Sequence, residues 1–143
     1  MKIDHLGIAV KSLDDSLPFY EDLLGLELAC REAVADQGVT IAMLPAGDLR
    51  IELLEPVSGD GAVGRFIAKR GEGLHHICYE VEDLRAALNR MKESGVKLLD
   101  GYPRPGAEGK LVAFLHPASA NGVLVELVEK VRTPQGETNE STR

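Results

Sequence analysis

The amino-acid sequence predicts an α+β fold made of two βαβββ modules in tandem, arranged around a metal site. Three observations carry this expectation. The chain repeats itself at an offset of 71 residues, the order of strand-like and helix-like patterns repeats with it, and each repeat places one histidine and one glutamate at matching strand positions. HLGIAVKSLDDSLPFYEDLLGLEL, starting at His5, lies over HICYEVEDLRAALNRMKESGVKLL, starting at His76. His5 meets His76, Val10 meets Val81, Leu13 meets Leu84 and Leu17 meets Leu88. Further on, Ala42 falls on Ala113 and Leu44 on Leu115; with a slip of three, Ile51-Glu52-Leu53 falls on Val125-Glu126-Leu127.

Each half opens on an alternating strand, His5 to Val10 and His76 to Val81. A helix follows. In the first half Ser12 and Asp15 have capping-box spacing, Leu13, Leu17, Tyr20 and Leu24 fall at helical intervals, and Gly25 closes the run. Pro18 fits this helix poorly and should cost a hydrogen bond or bend it. In the second half Asp83 caps, Leu84, Leu88 and Met91 form the stripe, and Gly95 ends it. Three strand-like stretches complete each module: Glu27 to Arg31, Val39 to Leu44 and Leu49 to Glu55, then Lys97 to Leu99, Leu111 to Leu115 and Val123 to Val128. The expected organisation is one domain over residues 1–130. Module one covers about 1–57, a linker helix about 62–70 and module two about 73–130, with a polar tail over 131–143 that is expected to be disordered.

At 143 residues, 44% hydrophobic and 27% charged, the chain has the composition of an ordinary globular domain. No apolar run approaches the roughly 18 residues of a membrane span, and the N-terminus does not read as a signal peptide, so a cytoplasmic protein is expected. A net charge of −7 without a basic stripe argues against nucleic acid. Cys30 and Cys78 are too few for a disulfide framework and read as buried free thiols.

Strand parity points to a site. Leu6, Ile8 and Val10 share one face; His5, Gly7 and Ala9 share the other, where a histidine beside small residues leaves room. Ile77, Tyr79 and Val81 lie opposite His76 and Cys78 in the same way. Glu52 and Glu126 sit in apolar strands, RIELLEP and GVLVELVE, where an ionised carboxylate costs several kcal/mol unless paired or bound to metal. One such histidine or glutamate is usually structural or solvated. Four at equivalent repeat positions instead suit an octahedral divalent ion such as Co²⁺, Mn²⁺, Ni²⁺ or Zn²⁺, with positions open to water or substrate. His75, out of phase with His76, should point to the helix side in a structural role; His116, in FLHPAS, is open to either reading.

These residues carry a family resemblance. Paired βαβββ modules with histidine, glutamate or glutamine, histidine and glutamate on their strands resemble the vicinal-oxygen-chelate superfamily, which includes glyoxalase I, extradiol dioxygenases and fosfomycin-resistance proteins. HLGIAV at 5–10, RIELLEP at 50–56, GEGLHHICYEVEDL at 71–84 and GKLVAFLHPASANGVLVEL at 109–127 are most similar to its methylmalonyl-CoA epimerase family. The resemblance covers residues 1 to about 130. It implies a half-open mixed sheet of the glyoxalase/bleomycin-resistance type, with His5, Glu52, His76 and Glu126 as metal ligands and Co²⁺ the first choice of ion. It also implies an acyl-CoA substrate and a homodimer. The implied reaction interconverts (R)- and (S)-methylmalonyl-CoA by removing and returning the C2 proton through a metal-stabilised enolate. Two acid/base groups should flank the substrate, Glu126 on one face and Glu52, or a water, on the other. One departure stands out: some bacterial epimerases carry a basic glutamate on the strand after QGV, and here Gln37-Gly38-Val39 is followed by Thr40-Ile41-Ala42. Lys69, Arg70, Arg104 and Lys110 are candidates for the CoA phosphates or simply solvated surface. A glyoxalase I-like lactoylglutathione lyase, or another metalloenzyme of the superfamily, is the alternative. An Fe(II) dioxygenase would need only one carboxylate, which counts against that chemistry.

Overall fold

The computed structural model describes residues 1–131. The tail expected over 131–143 therefore lies, apart from its first residue, outside the described residues. The first half lays down β1 (Lys2–Ala9), α1 (Leu13–Pro18), β2 (Cys30–Val34), β3 (Val39–Ala46) and β4 (Leu49–Pro56). Helix α2 (Ala62–Arg70) follows where the linker helix was expected. The second half supplies β5 (Gly73–Val81), α3 (Leu84–Glu93), β6 (Arg104–Pro105), β7 (Leu111–Leu115) and β8 (Val125–Glu129). All eight strands form one mixed sheet in the order β2-β3-β4-β1-β5-β8-β7-β6, curled into a half-barrel. Within each half the first strand pairs parallel with the last, β1 with β4 and β5 with β8. The halves join where β1 and β5 pair antiparallel.

The helices on the outer face cap as their sequences require. The Ser12 hydroxyl accepts from the Asp15 N–H, and the Asp83 carboxylate accepts from the Ala86 N–H, both at 3.1 Å. Leu13 and Leu17 then pack on Val10, Ala42, Leu44 and Leu53, while Leu84, Ala87 and Leu88 pack on Val81, Ala113, Leu115 and Leu127. Pro18 does break the regular pattern. It has no N–H for the α-helical ladder, and from Phe19 to Leu23 the chain widens into a π turn, closed by Leu24 N–H donating to the Phe19 carbonyl at 3.0 Å. A third cluster, with Ala9, Val34, Ile41, Met43 and Leu54, lies under α2 and takes in Val63.

Two strand expectations shift. The stretch Glu27 to Arg31 enters the sheet only from Cys30, because Leu26 and Leu28 turn into the cluster beneath α1. Lys97 to Leu99 is not a strand: Leu98 makes a single bridge to Leu115, and the Leu99 and Asp100 N–H groups both donate to the Phe114 carbonyl. The chain then turns away, and the two-residue β6 takes the edge beside β7, where Pro105 lacks an N–H to offer. Among the described residues no helix is long and apolar enough to cross a membrane.

Candidate metal centre

The four middle strands each bring one polar side chain to the same point: Glu52 from β4, His5 from β1, His76 from β5 and Glu126 from β8. Register explains the convergence. Gly7 pairs with both Glu52 and His76, and Cys78 pairs with both Glu126 and His5. Small residues thus sit between each donor pair. A side chain at Gly7 would occupy the space of the His76 ring, its Cβ only 2.6 Å from Nε2. All four donors are buried, none more than 5% exposed.

His5 Nε2 lies 3.1 Å from His76 Nε2, 3.0 Å from Glu126 Oε1 and 3.3 Å from Glu52 Oε1. His76 Nε2 lies 3.0 Å from Glu126 Oε1 and 3.4 Å from Glu52 Oε1. Donors that share one divalent ion at about 2.1 Å stand about 3.0 Å apart at a right angle and about 3.4 Å apart at the tetrahedral angle. The observed separations span that range, and two imidazoles with two carboxylates leave a doubly charged cation neutral. The residues therefore fit one divalent ion.

The electrostatics say the same. Burial alone would lower His5, but hydrogen bonds with Asp4, Cys78, Glu126 and Glu52 hold it well above the usual imidazole range. His76 is also raised, its burial outweighed by Glu126 and Glu52. Burial would raise Glu52 and Glu126, yet hydrogen bonds from His5 and His76 keep both below the usual carboxylate range. The carboxylates are held as anions, and the site attracts positive charge whether as protons or as a metal ion.

Two neighbours were not legible from strand parity. Asp4 accepts from His5 Nδ1 at 2.7 Å and is itself held by Arg50 Nη2 at 2.8 Å. His75 does not turn away from His76: its Nδ1 lies 2.9 Å from His76 Nδ1, and it packs edge-on against Phe66 of α2. Burial and the charge of His76 push His75 down to about 4. His116 is structural, its Nδ1 accepting from the Ala118 N–H at 2.9 Å. Cys78 is fully buried as expected, whereas Cys30 is only half-buried.

Open space adjoins His76, whereas His5, Glu52 and Glu126 border a pocket of only about 10 Å³. A cleft of about 570 Å³ runs past His75, His76, Gln37, Val63, Arg104 and Phe114. A second, of about 380 Å³, shares His75, His76 and Leu124 with it and is bordered by Arg65, Lys69 and Arg70. Of the four basic residues singled out in the sequence, Arg104 is bound to Asp36 and Asp100 and Lys110 lies 3.6 Å from Glu108. Lys69 and Arg70 line the second cleft. On the strand after Gln37, Ile41 is buried among Ala9, Val34 and Leu54, so that strand offers no carboxylate to the site.

A curled sheet of paired βαβββ units that gathers two histidines and two glutamates defines a class, and comparison with known proteins agrees. Residues 4–114 match the model of the Glyoxalase/Bleomycin resistance protein/Dioxygenase superfamily. The ethylmalonyl-CoA/methylmalonyl-CoA epimerase of Cereibacter sphaeroides is 42% identical over 128 residues, 88% of this chain and 96% of that protein. A variant of the Streptomyces coelicolor methylmalonyl-CoA epimerase, solved with 2-nitronate-propionyl-CoA, superposes with a TM-score of 0.87 at 40% identity, covering 94% of this chain and 99% of that one. A methylmalonyl-CoA epimerase solved with methylmalonyl-CoA and NH4+ matches equally, at TM-score 0.87 and 40% identity over 93% and 98% of the two chains. The chain belongs to this superfamily and, within it, to the methylmalonyl-CoA epimerase family.

Proposed function

We propose that this chain interconverts the C2 epimers of methylmalonyl-CoA, with His5, Glu52, His76 and Glu126 holding a divalent ion, Co²⁺ before Mn²⁺, Ni²⁺ or Zn²⁺. The observation that carries the reading is the convergence of four buried donors, one of which, His76, lines an open cleft, in a chain of this family. The C2 proton of a malonyl thioester is weakly acidic, and its removal leaves an enolate whose charge must be offset. A divalent cation at the site supplies that Lewis acidity. Glu126, kept ionised by His5 and His76, takes the C2 proton from one face of one epimer. Glu52, carrying a proton when that epimer is bound, gives it to the opposite face; for the other epimer the two carboxylates exchange these states and roles, Glu52 standing in for the glutamate absent from the strand after Gln37. Arg65, Lys69 and Arg70 border the second cleft and meet the CoA phosphates.

The deciding experiment feeds each epimer separately to metal-loaded protein in deuterated water and follows the C2 proton by NMR, beside a lactoylglutathione assay. Exchange from both epimers supports the reading; no exchange with active lactoylglutathione turnover replaces it with a glyoxalase. We read residues 1–130 as one domain, with modules over about 1–57 and 73–130. The chain acts as a homodimer in this reading, which exposed Phe19, Leu23 and Leu24 on the π turn support and light scattering tests.

A further inference from the structure

Two β-bulges interrupt the pairing of β1 with β5, and each adds its extra residue immediately before a donor histidine. The ladder passes from Ile3–Tyr79 to His5–Cys78, so Asp4 is extra on β1; it passes from Gly7–His76 to Ile8–Leu74, so His75 is extra on β5. A bulge resets the alternation of side chains. It brings Asp4 to the side of His5 and His75 to the side of His76, at the same place in the two repeats. Asp4 Oδ2 lies 2.7 Å from His5 Nδ1, and His75 Nδ1 lies 2.9 Å from His76 Nδ1. In both rings the opposite nitrogen, Nε2, faces the donor cluster.

An imidazole that offers the Nε2 lone pair to a cation keeps its proton on Nδ1, and that buried N–H needs an acceptor. The Asp4 carboxylate, anchored by Arg50, accepts it from His5. His75 accepts it from His76 when its own proton sits on Nε2, and the Phe66 ring, 4.9 Å away between centroids, holds its plane. We propose that Asp4 and His75 are paired positioning residues of the metal centre, each delivered by a bulge to fix the tautomer and aim of the histidine that follows it. The inference rests on His5 and His76 being ligands, as proposed above. The two partners are unequal. An anionic acceptor pushes more electron density into its imidazole than a neutral one, so losing Asp4 weakens metal binding more than losing His75.

The test strips the full-length protein of metal and titrates Co²⁺ against a chromophoric chelator for five variants. Asp4→Ala should weaken Co²⁺ binding about 10- to 100-fold and His75→Phe by somewhat less. Asp4→Asn and His75→Asn, which keep an acceptor oxygen, should recover part of each loss. Co²⁺ affinity within twofold of the parent for both Asp4→Ala and His75→Phe, while His76→Ala has lost the metal, overturns the positioning roles and leaves the ligands standing. His76→Ala that binds Co²⁺ normally overturns the ligand assignment itself. Asn variants as weak as Ala and Phe would also sink the proposal, because the acceptor would then be irrelevant. Should Asp4→Ala fail to fold, the two His75 variants carry the test alone.

Discussion

At the scale of single residues the centre depends on what is small as much as on what is charged. Gly7 exists so that the His76 ring can lie over it, and Gly7→Ala puts a methyl group in the ring's place. The ring must swing out, so we expect metal affinity to fall tenfold or more and stability by about 1–3 kcal/mol, both readable by titration and urea denaturation. An unchanged metal affinity would mean that His76 is not where the structure puts it. Cys78 gives a second prediction. Burial pushes its thiol from 9.0 to about 12, so between those values the unfolded chain releases a proton that the folded chain keeps. Stability must then fall as pH rises, by up to about 1.4 kcal/mol per pH unit more than in Cys78→Ala. Parallel slopes for parent and variant from pH 9 to 11 would refute it. The convergence of His5, Glu52, His76 and Glu126 was legible because counting in twos along a strand, and along the chain in 71s with a slip of three before the glutamates, is enough to find them. Asp4 and His75 were not, because one bulged residue reverses the parity on which that counting depends.

Helices and inner strands were legible as elements because their signals are local: a cap, a stripe of apolar residues and a closing glycine. Strand edges were less so. Leu26 and Leu28 alternate as a strand does whether they pair in the sheet or pack beneath a helix, and only the three-dimensional neighbours decide. The same limit applies to Lys97–Leu99, whose neighbour β7 is met by one bridge before the chain departs. The element scale also separates capping from packing. Asp83→Ala removes one cap bond and should cost about 1 kcal/mol, whereas Leu84→Ala, next to it and fully buried, should cost about 2–5 kcal/mol. Both changes lie on the outer face, so turnover of the surviving folded protein should stay near normal in each. Denaturant midpoints set beside kcat check this, and a large kcat loss in Asp83→Ala would show that α3 helps shape the site.

For the whole molecule the repeat has a consequence beyond symmetry. Neither half holds a complete centre: the first supplies His5 and Glu52, the second His76 and Glu126, and the pairing of β1 with β5 is what closes the distance. Covering of the inner face is also shared, since α2 lies between the halves in sequence yet packs on Ala9, Val39 and Ile41 of the first and reaches His75 of the second. Produced separately, residues 1–71 and 72–143 should each expose one long edge of unpaired backbone and bind divalent metal at least 100-fold more weakly than the intact chain, with two donors each. Mixed in equal amounts they should recombine, and metal should promote it, because the ion binds only the joined state and stabilises it by mass action. The measurement is Co²⁺ titration of each fragment and of the mixture, with sedimentation to follow association. Tight binding by one fragment alone would show that a single module builds its own site, and would overturn the shared centre on which the proposed reaction rests.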